Sequence, residues 1–288
     1  MLQMAVTVRA YHAGLEEQVD QISHKAWVLF KYNKDYDYPM MSCVFNEQDE
    51  LIALGYIRKG YDDDHDVMEV VMDVNERGAE RISEVRIALY PALIEISQAI
   101  RNPNKRTKLV AWNDFHGCGE FRYDEEFAPF QTYYYAKLSL EKGYPEIQMP
   151  SGIEVRHHPM ETIEERMKYT EVENHYLKGV VYRSVNMLEW MMAGPELHTI
   201  AAFDGDELVG SVMCWQTGAV DRFFVHPRWR NTGLGEYLLT KGFEYHLQKG
   251  RTEVDTLVHA KDEPTMRLLE SMGYSFPVKL ELYAMNMK

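Results

Sequence analysis

The amino-acid sequence presents one order of elements twice. The segment Glu141-Lys-Gly-Tyr-Pro-Glu-Ile-Gln-Met-Pro-Ser-Gly152 holds two prolines and two glycines, a composition that breaks regular structure. It separates halves of similar length. On this basis one lobe runs over 1–145, a linker over 146–152 and a second lobe over 153–288. Asp49-Glu-Leu-Ile-Ala-Leu-Gly-Tyr56 in the first half resembles Asp206-Glu-Leu-Val-Gly-Ser-Val-Met213 in the second. Each reads as a turn and then a strand. A second strand follows in each half, Val67 to Val74 and Ala219 to Val225. Next come a long helical pattern (Ile82 to Ile100; Gly235 to Lys249) and a buried strand (Lys108 to Trp112; Val254 to Val258). Each half closes on a strand, Thr132 to Leu140 and Lys279 to Met285. Matching order with weak identity points to two copies of one α+β unit.

Composition removes several classes. The chain has 288 residues, 45% hydrophobic and 12% aromatic, enough for two cores and too apolar for disorder. Its 31 basic residues against 45 acidic ones give a net charge of −14, which argues against nucleic acid as a partner. The same balance argues against a tRNA-borne donor. No stretch approaches the roughly 18 apolar residues of a membrane helix. The start, Met1 to Arg9, lacks the pattern of a secretory signal, so a cytoplasmic location is the expectation. Cys43, Cys118 and Cys214 form no CxxC pair, and no metal site is expected.

The chemistry concentrates in Val225-His-Pro-Arg-Trp-Arg-Asn-Thr-Gly-Leu-Gly235. A strand ends at Pro227, a basic turn follows, and Gly233 and Gly235 lead into an amphipathic helix. Glycines permit positive φ and close backbone approach. Amides gathered at a helix N-terminus make an anion site. Between Arg222 and Gly235 stand three arginines and no carboxylate, a cationic island on an acidic chain. This suits a phosphate-bearing ligand. The loop lacks the Gly-Lys-Ser/Thr of a P-loop, and Leu238 stands where a dinucleotide turn needs its third glycine.

Arg230-Asn-Thr-Gly-Leu-Gly235 resembles the (Gln/Arg)-x-x-Gly-x-(Gly/Ala) coenzyme-A loop of the GNAT N-acetyltransferases, and Val225-His-Pro227 the Val-x-Pro that precedes it. Asp262-Glu-Pro-Thr-Met-Arg-Leu-Leu-Glu-Ser-Met-Gly-Tyr274 resembles the family's Asn-x-x-Ala-x-x-Leu-Tyr-Glu-x-x-Gly-Phe. The resemblance covers about residues 153–288. With two copies in tandem, the whole chain is similar to mycothiol-synthase-like enzymes. The resemblance implies lobes built on a mixed, mostly antiparallel central sheet flanked by helices. In the first half, Asn75-Glu-Arg-Gly-Ala-Glu-Arg-Ile-Ser83 stands where the loop belongs. Arg81 and Ser83 replace the glycines, and Glu76 and Glu80 oppose a phosphate, so this lobe reads as a degenerate copy without coenzyme.

The implied reaction is transfer of an acetyl group from acetyl-CoA to a primary amine of a small molecule or peptide. Arg228 and Arg230 would neutralise phosphates. The stretch Asn231, Thr232, Gly233, Leu234, Gly235 and Glu236 would supply amides, and Asp262 stands at the family's Asn position. By the resemblance, the amides of Phe224 and Val225 hold coenzyme and polarise the thioester carbonyl. Leu269 replaces the tyrosine that protonates the leaving thiolate in many members, so the general acid is left open. Candidate bases are Asp221 on the strand before the loop and His259 at the end of the next strand. Glu171, Glu173, Tyr176 and Tyr182 are candidates for the acceptor side. A non-catalytic acyl-CoA-binding or interaction module, or a transferase using a longer acyl-CoA, is the alternative. No motif identifies the acceptor or the oligomeric state.

Other features have plainer readings. Asp62-Asp-Asp-His-Asp66 lacks the spacing of a calcium loop and reads as a solvated loop. His157-His158 sits at a strand end. Tyr133-Tyr-Tyr135 reads as strand, and Met187, Met191 and Met192 around Trp190 as core.

Overall fold

The computed structural model describes residues 6–60, 65–112, 127–177, 183–193 and 197–287. Asp62 to Asp64, Cys118 and Tyr182 lie outside the described residues. The chain groups into two compact units, Met1–Gln131 with Leu280–Lys288, and Thr132–Lys279.

In the first unit β1 (Thr7–Ala10) precedes α1 (Glu16–Ile22) and α2 (His24–Tyr32). Strands β2 (Met41–Phe45), β3 (Leu51–Lys59) and β4 (His65–Val74) follow, then α3 (Glu76–Glu80), α4 (Ile82–Ile100) and β5 (Arg106–Trp112). Strands β1 to β4 pair antiparallel in sequence order, and β4 pairs parallel with β5 from His65↔Arg106 to Glu69↔Val110. On α4, Val85, Leu89, Leu93 and Ser97 recur every fourth residue, and this stripe is its buried face. It packs on Val44, Ile52, Ile57, Met68 and Leu109 of the sheet. A Cβ at Gly55 would lie 2.8 Å from Leu89, so glycine there lets helix and sheet close up.

In the second unit β7 (Glu154–His157) precedes α5 (Ile163–Tyr176) and α6 (Val185–Ala193). Strands β8 (Leu197–Asp204), β9 (Glu207–Trp215) and β10 (Val220–Val225) come next, then α7 (Leu234–Gln248), β11 (Glu253–His259) and α8 (Glu263–Ser271). The run of two strands, a long helix and a strand that the sequence comparison predicts recurs in both units (β3, β4, α4, β5 and β9, β10, α7, β11), with the short helix α3 added in the first. Thr162 starts α5 with a reciprocal capping box to Glu165, which explains why a helix of low amphipathicity begins there. Helix α7 buries Leu234, Leu238, Leu239 and Phe243 against Val212, Val254, Val258 and Leu269. The opposite face of the sheet carries Tyr169, Leu188, Met191, Met213 and Phe224, with Met187, Trp190 and Met192 packed on them.

Two further strands are divided by the grouping. In β6 (Ala128–Ser139), Tyr133 to Ser139 pair antiparallel with β11 inside the second unit. In β12 (Ser275–Asn286), Leu282 to Asn286 pair with β5 inside the first. The segment 146–152, expected as the linker, therefore lies within the second unit. Proline and glycine mark a local break in regular structure; long-range strand pairing decides which unit a segment joins.

Candidate functional site

The second unit opens between β10 and β11. These parallel strands meet at one isolated bridge, Ala219↔Asp255, and no further ladder joins them on the way to Val225 and His259. Strand β10 also carries a bulge against β9 between Asp221 and Phe224, with Arg222 at φ +53°. A bulge next to a parting pair re-aims side chains at a sheet opening.

Two cavities line this opening. The larger, about 550 Å³, is walled by Tyr176, Phe223, Phe224 and Val225 on one side. Arg230, Asn231, Gly235 and Glu236 form its loop end, and Lys261, Asp262, Thr265, Arg267 and Leu268 its α8 side. The smaller, about 70 Å³, lies between Val220, Asp221 and Arg222 of β10, Thr256 to His259 of β11, and Leu269 of α8.

The loop joining β10 to α7 has the geometry its glycines predict. Gly233 adopts φ +87° as the N-cap of α7, and Asn231 adopts φ +62°. Arg230 Nε donates to the Val225 carbonyl at 3.3 Å, and Thr232 Oγ1 to the Trp229 carbonyl at 2.7 Å. Gly235 has a different task. A Cβ there would stand 2.9 Å from Leu268 Cδ2 and 3.3 Å from Phe223 Cζ, so it sets the approach of α7 to α8 and β10. Leu234 is fully buried in the core, leaving only its backbone for the loop.

The positions of the named candidates differ. Arg230, Asn231, Gly235, Glu236 and Asp262 line the larger cavity, while Arg228 does not. The Arg228 guanidinium is held by Asp204 at 2.8 Å and Glu207 at 2.7 Å. Lys261 and Arg267, which sequence reasoning passed over, bring two further cations to the cavity wall. Their signal was present: Lys261 stands just before the Asp262 motif and Arg267 within it. Asp262 caps α8 through the Thr265 amide at 3.3 Å.

Strand alternation separates the two expected amide donors. His226 N donates to Val209 O on β9, and Phe224 O lies on the same side, 3.3 Å from a Cβ built at Gly210. The Phe224 amide therefore faces β9, and the Val225 amide faces the opening.

Asp221 lines the smaller cavity and accepts a hydrogen bond from Trp215 Nε1 at 3.3 Å. Arg183 Nη2 stands 3.9 Å from Oδ2 and Arg222 Nε 3.8 Å from Oδ1. Glu173 lines neither cavity. It is wholly buried beside Arg183, with its carboxyl pushed up to about 7, chiefly by burial. Tyr176 stacks on Phe224, with ring centroids 5.6 Å apart, and lines the larger cavity. Glu171 is exposed on α5. Among the described residues no group of three His, Cys, Asp or Glu could hold a metal ion, and no helix is long and apolar enough to cross a membrane.

Residues 160–274 match the model of the acetyltransferase (GNAT) family. The matched stretch lies within the second unit. A GCN5-related N-acetyltransferase from Sphaerobacter thermophilus is similar with a TM-score of 0.65 at 15% identity, over 99% of this chain and 97% of that one. A tandem GNAT protein from the clavulanic acid biosynthesis pathway gives 0.64 at 13% identity, over 98% of each chain. Saccharomyces cerevisiae N-myristoyltransferase with bound myristoyl-CoA gives 0.64 at 9% identity, over all of this chain and 84% of that one. At these identities the likeness is one of fold. No curated protein matches the chain in sequence.

Proposed function

We propose that the chain is an acetyl-CoA-dependent N-acetyltransferase that acts on a primary amine, with one working coenzyme site in the second unit. The observation that carries this reading is the opening between β10 and β11, continuous with a loop whose Gly233 sits at φ +87° at the start of α7. Pyrophosphate lies against the amides at the α7 N-terminus, where the helix dipole favours negative charge. Arg230 and Lys261 supply the counter-charge, while the Arg267 guanidinium is held by Glu263 at 2.7 Å. The pantetheine arm runs along β10, where the Val225 amide faces the opening and polarises the thioester carbonyl.

The acyl end enters the smaller cavity. Its volume of about 70 Å³, against about 550 Å³ for the larger cavity, favours a short acyl group such as acetyl. Asp221 takes the amine proton there. Its carboxylate lies in the cavity wall, and the indole of Trp215 fixes its orientation. Tyr176 bounds the acceptor side.

The first unit is a degenerate second copy, giving the chain a tandem architecture. Where the second unit has its glycine loop, the first has helix α3. Arg81 there is bound by Glu47 and Glu84, each at 2.8 Å. A Cβ at Gly78 would stand 2.3 Å from the Ile52 carbonyl, so the backbone packs on β3 where a loop would need room.

Titration calorimetry with acetyl-CoA, followed by an amine screen for released thiol, tests the reading. One site per chain with thiol release supports it. Two sites would overturn the assignment of the first unit. No binding would leave a shared fold without the activity, and binding without turnover on any amine would leave a coenzyme-binding module.

A further inference from the structure

His259 ends β11 with its side chain almost fully buried, at 5% exposure. It lies in the wall of the smaller cavity with Asp221 and Leu269. The strands are parallel and meet at Ala219↔Asp255, so four residues further along each strand bring Phe223 and His259 to the same level across the opening. That is the level of the bulge, where β10 turns from Asp221 to Phe224.

The turn into α8 fixes the ring. Lys261 N donates to His259 Nδ1 at 3.0 Å, and Asp262 N donates to the His259 carbonyl at 2.9 Å. Tyr133 meets the ring edge-on at a centroid distance of 4.8 Å. A nitrogen that accepts a backbone N–H carries no proton of its own. The neutral ring therefore holds its proton on Nε2, which meets no acceptor among the described residues. Burial and Lys261 lower the ring's affinity for a second proton, so it stays neutral near pH 7. To serve as a base at Nε2, the ring would need its proton on Nδ1, set against the Lys261 N–H. Leu269, on the α8 side of this wall, brings no polar hydrogen.

We propose that His259 acts in acyl transfer as a fixed neutral donor, its Nε2–H bonded to the negative charge that develops on the thioester. This rests on the transferase reading above. The amine nitrogen attacks the carbonyl carbon, the C–N bond forms and the carbonyl oxygen takes the electron pair. Asp221 accepts one amine proton. The C–S bond then breaks and the sulfur leaves as thiolate, which takes a proton from water. His259 lends a hydrogen bond throughout and keeps its proton.

Long-range proton–nitrogen spectra of ¹⁵N-labelled protein test the tautomer, with His259→Gln identifying the ring. The expected result is the Nε2–H form from pH 6 to 8. In turnover, His259→Ala should lower kcat about a hundredfold, the cost of one donor to a developing oxyanion. KM for acetyl-CoA and the affinity for coenzyme A should stay within about threefold, and His259→Gln, which can still donate, should recover part of the loss. An Nδ1–H ring overturns the proposal. So does an acid limb of the pH–rate profile that disappears in His259→Ala, or an unchanged kcat in that variant. Failure of the transferase reading shows separately, as absence of coenzyme binding in the unaltered chain.

Discussion

Arg183 Nε stands 3.5 Å from Glu173 Oε2, and both side chains are wholly buried. The pair ties α5 to the chain entering α6, where Asn174 clamps the Arg183 backbone through both its N–H and its carbonyl, each at 2.8 Å. Arg183 reaches on towards Asp221 of β10, at 3.9 Å. The Asp221 wall of the smaller cavity is thus backed by a buried ion pair.

That pair predicts a pH signature. Glu173 has an ordinary carboxyl value of 4.5 when unfolded and about 7 in the fold, raised by burial against the pull of Arg183. The folded state holds the proton more tightly. Its contribution is fully present below about 4.5 and is lost as the pH rises through 7. Thermal melts should show the unaltered chain losing stability relative to Glu173→Gln across that window. Arg183→Met leaves the carboxylate uncompensated and should cost about 3–5 kcal/mol at pH 8, and less at pH 6.

His246 predicts the opposite sign. It is fully buried on α7, with neither ring nitrogen partnered among the described residues. Burial and the nearby Arg251 push its pKa down from 6.5 to about 4. The unfolded chain therefore binds this proton more readily. The contribution is present above about 6.5 and lost as the pH falls through 4. Denaturant midpoints of the unaltered chain should drop more steeply between pH 6.5 and 4 than those of His246→Leu.

The cations near the loop should separate by role. Arg230→Ala and Lys261→Ala should each weaken coenzyme A binding about tenfold, equal to about 1.4 kcal/mol. Arg228→Ala should leave affinity within about threefold, because Asp204 and Glu207 already hold its guanidinium. Its exposed ion pairs contribute at most about 1 kcal/mol to stability. Titration calorimetry on the three variants checks the order.

The two loop glycines should fail differently. Gly235→Ala drives a Cβ into Leu268 and Phe223 and should cost about 1–3 kcal/mol of stability by overpacking. Gly233→Ala meets no atom nearer than 3.9 Å. Its cost is the backbone strain of φ +87°, on the order of 1–2 kcal/mol, and it should reduce coenzyme affinity more than stability. Parallel unfolding and binding curves distinguish the two.

Much of this was legible in the chain. The strands that became β9 and β10 were read, as was the helical pattern of α4, and Gly233 announced a backbone position at positive φ. Less legible were the positions that depend on neighbours far along the chain. Glu173 read as a candidate for the acceptor side because nothing local reveals Arg183 ten residues on, folded back beside it. Arg228 read as a free phosphate ligand because its partners, Asp204 and Glu207, sit more than twenty residues earlier on the β8–β9 hairpin.

The sequence by itself determined the run of strand, strand, helix and strand around the glycine loop and the loop's chemistry, because those follow from local φ preferences and short hydrophobic periods. Only the tertiary structure decided which amide faces the opening, which arginine is already committed and which nitrogen of His259 carries the proton. Each of these is set by a hydrogen bond or ion pair whose partner's position becomes defined only when the backbone has folded: β9 for Phe224, the β8–β9 hairpin for Arg228 and the turn into α8 for His259.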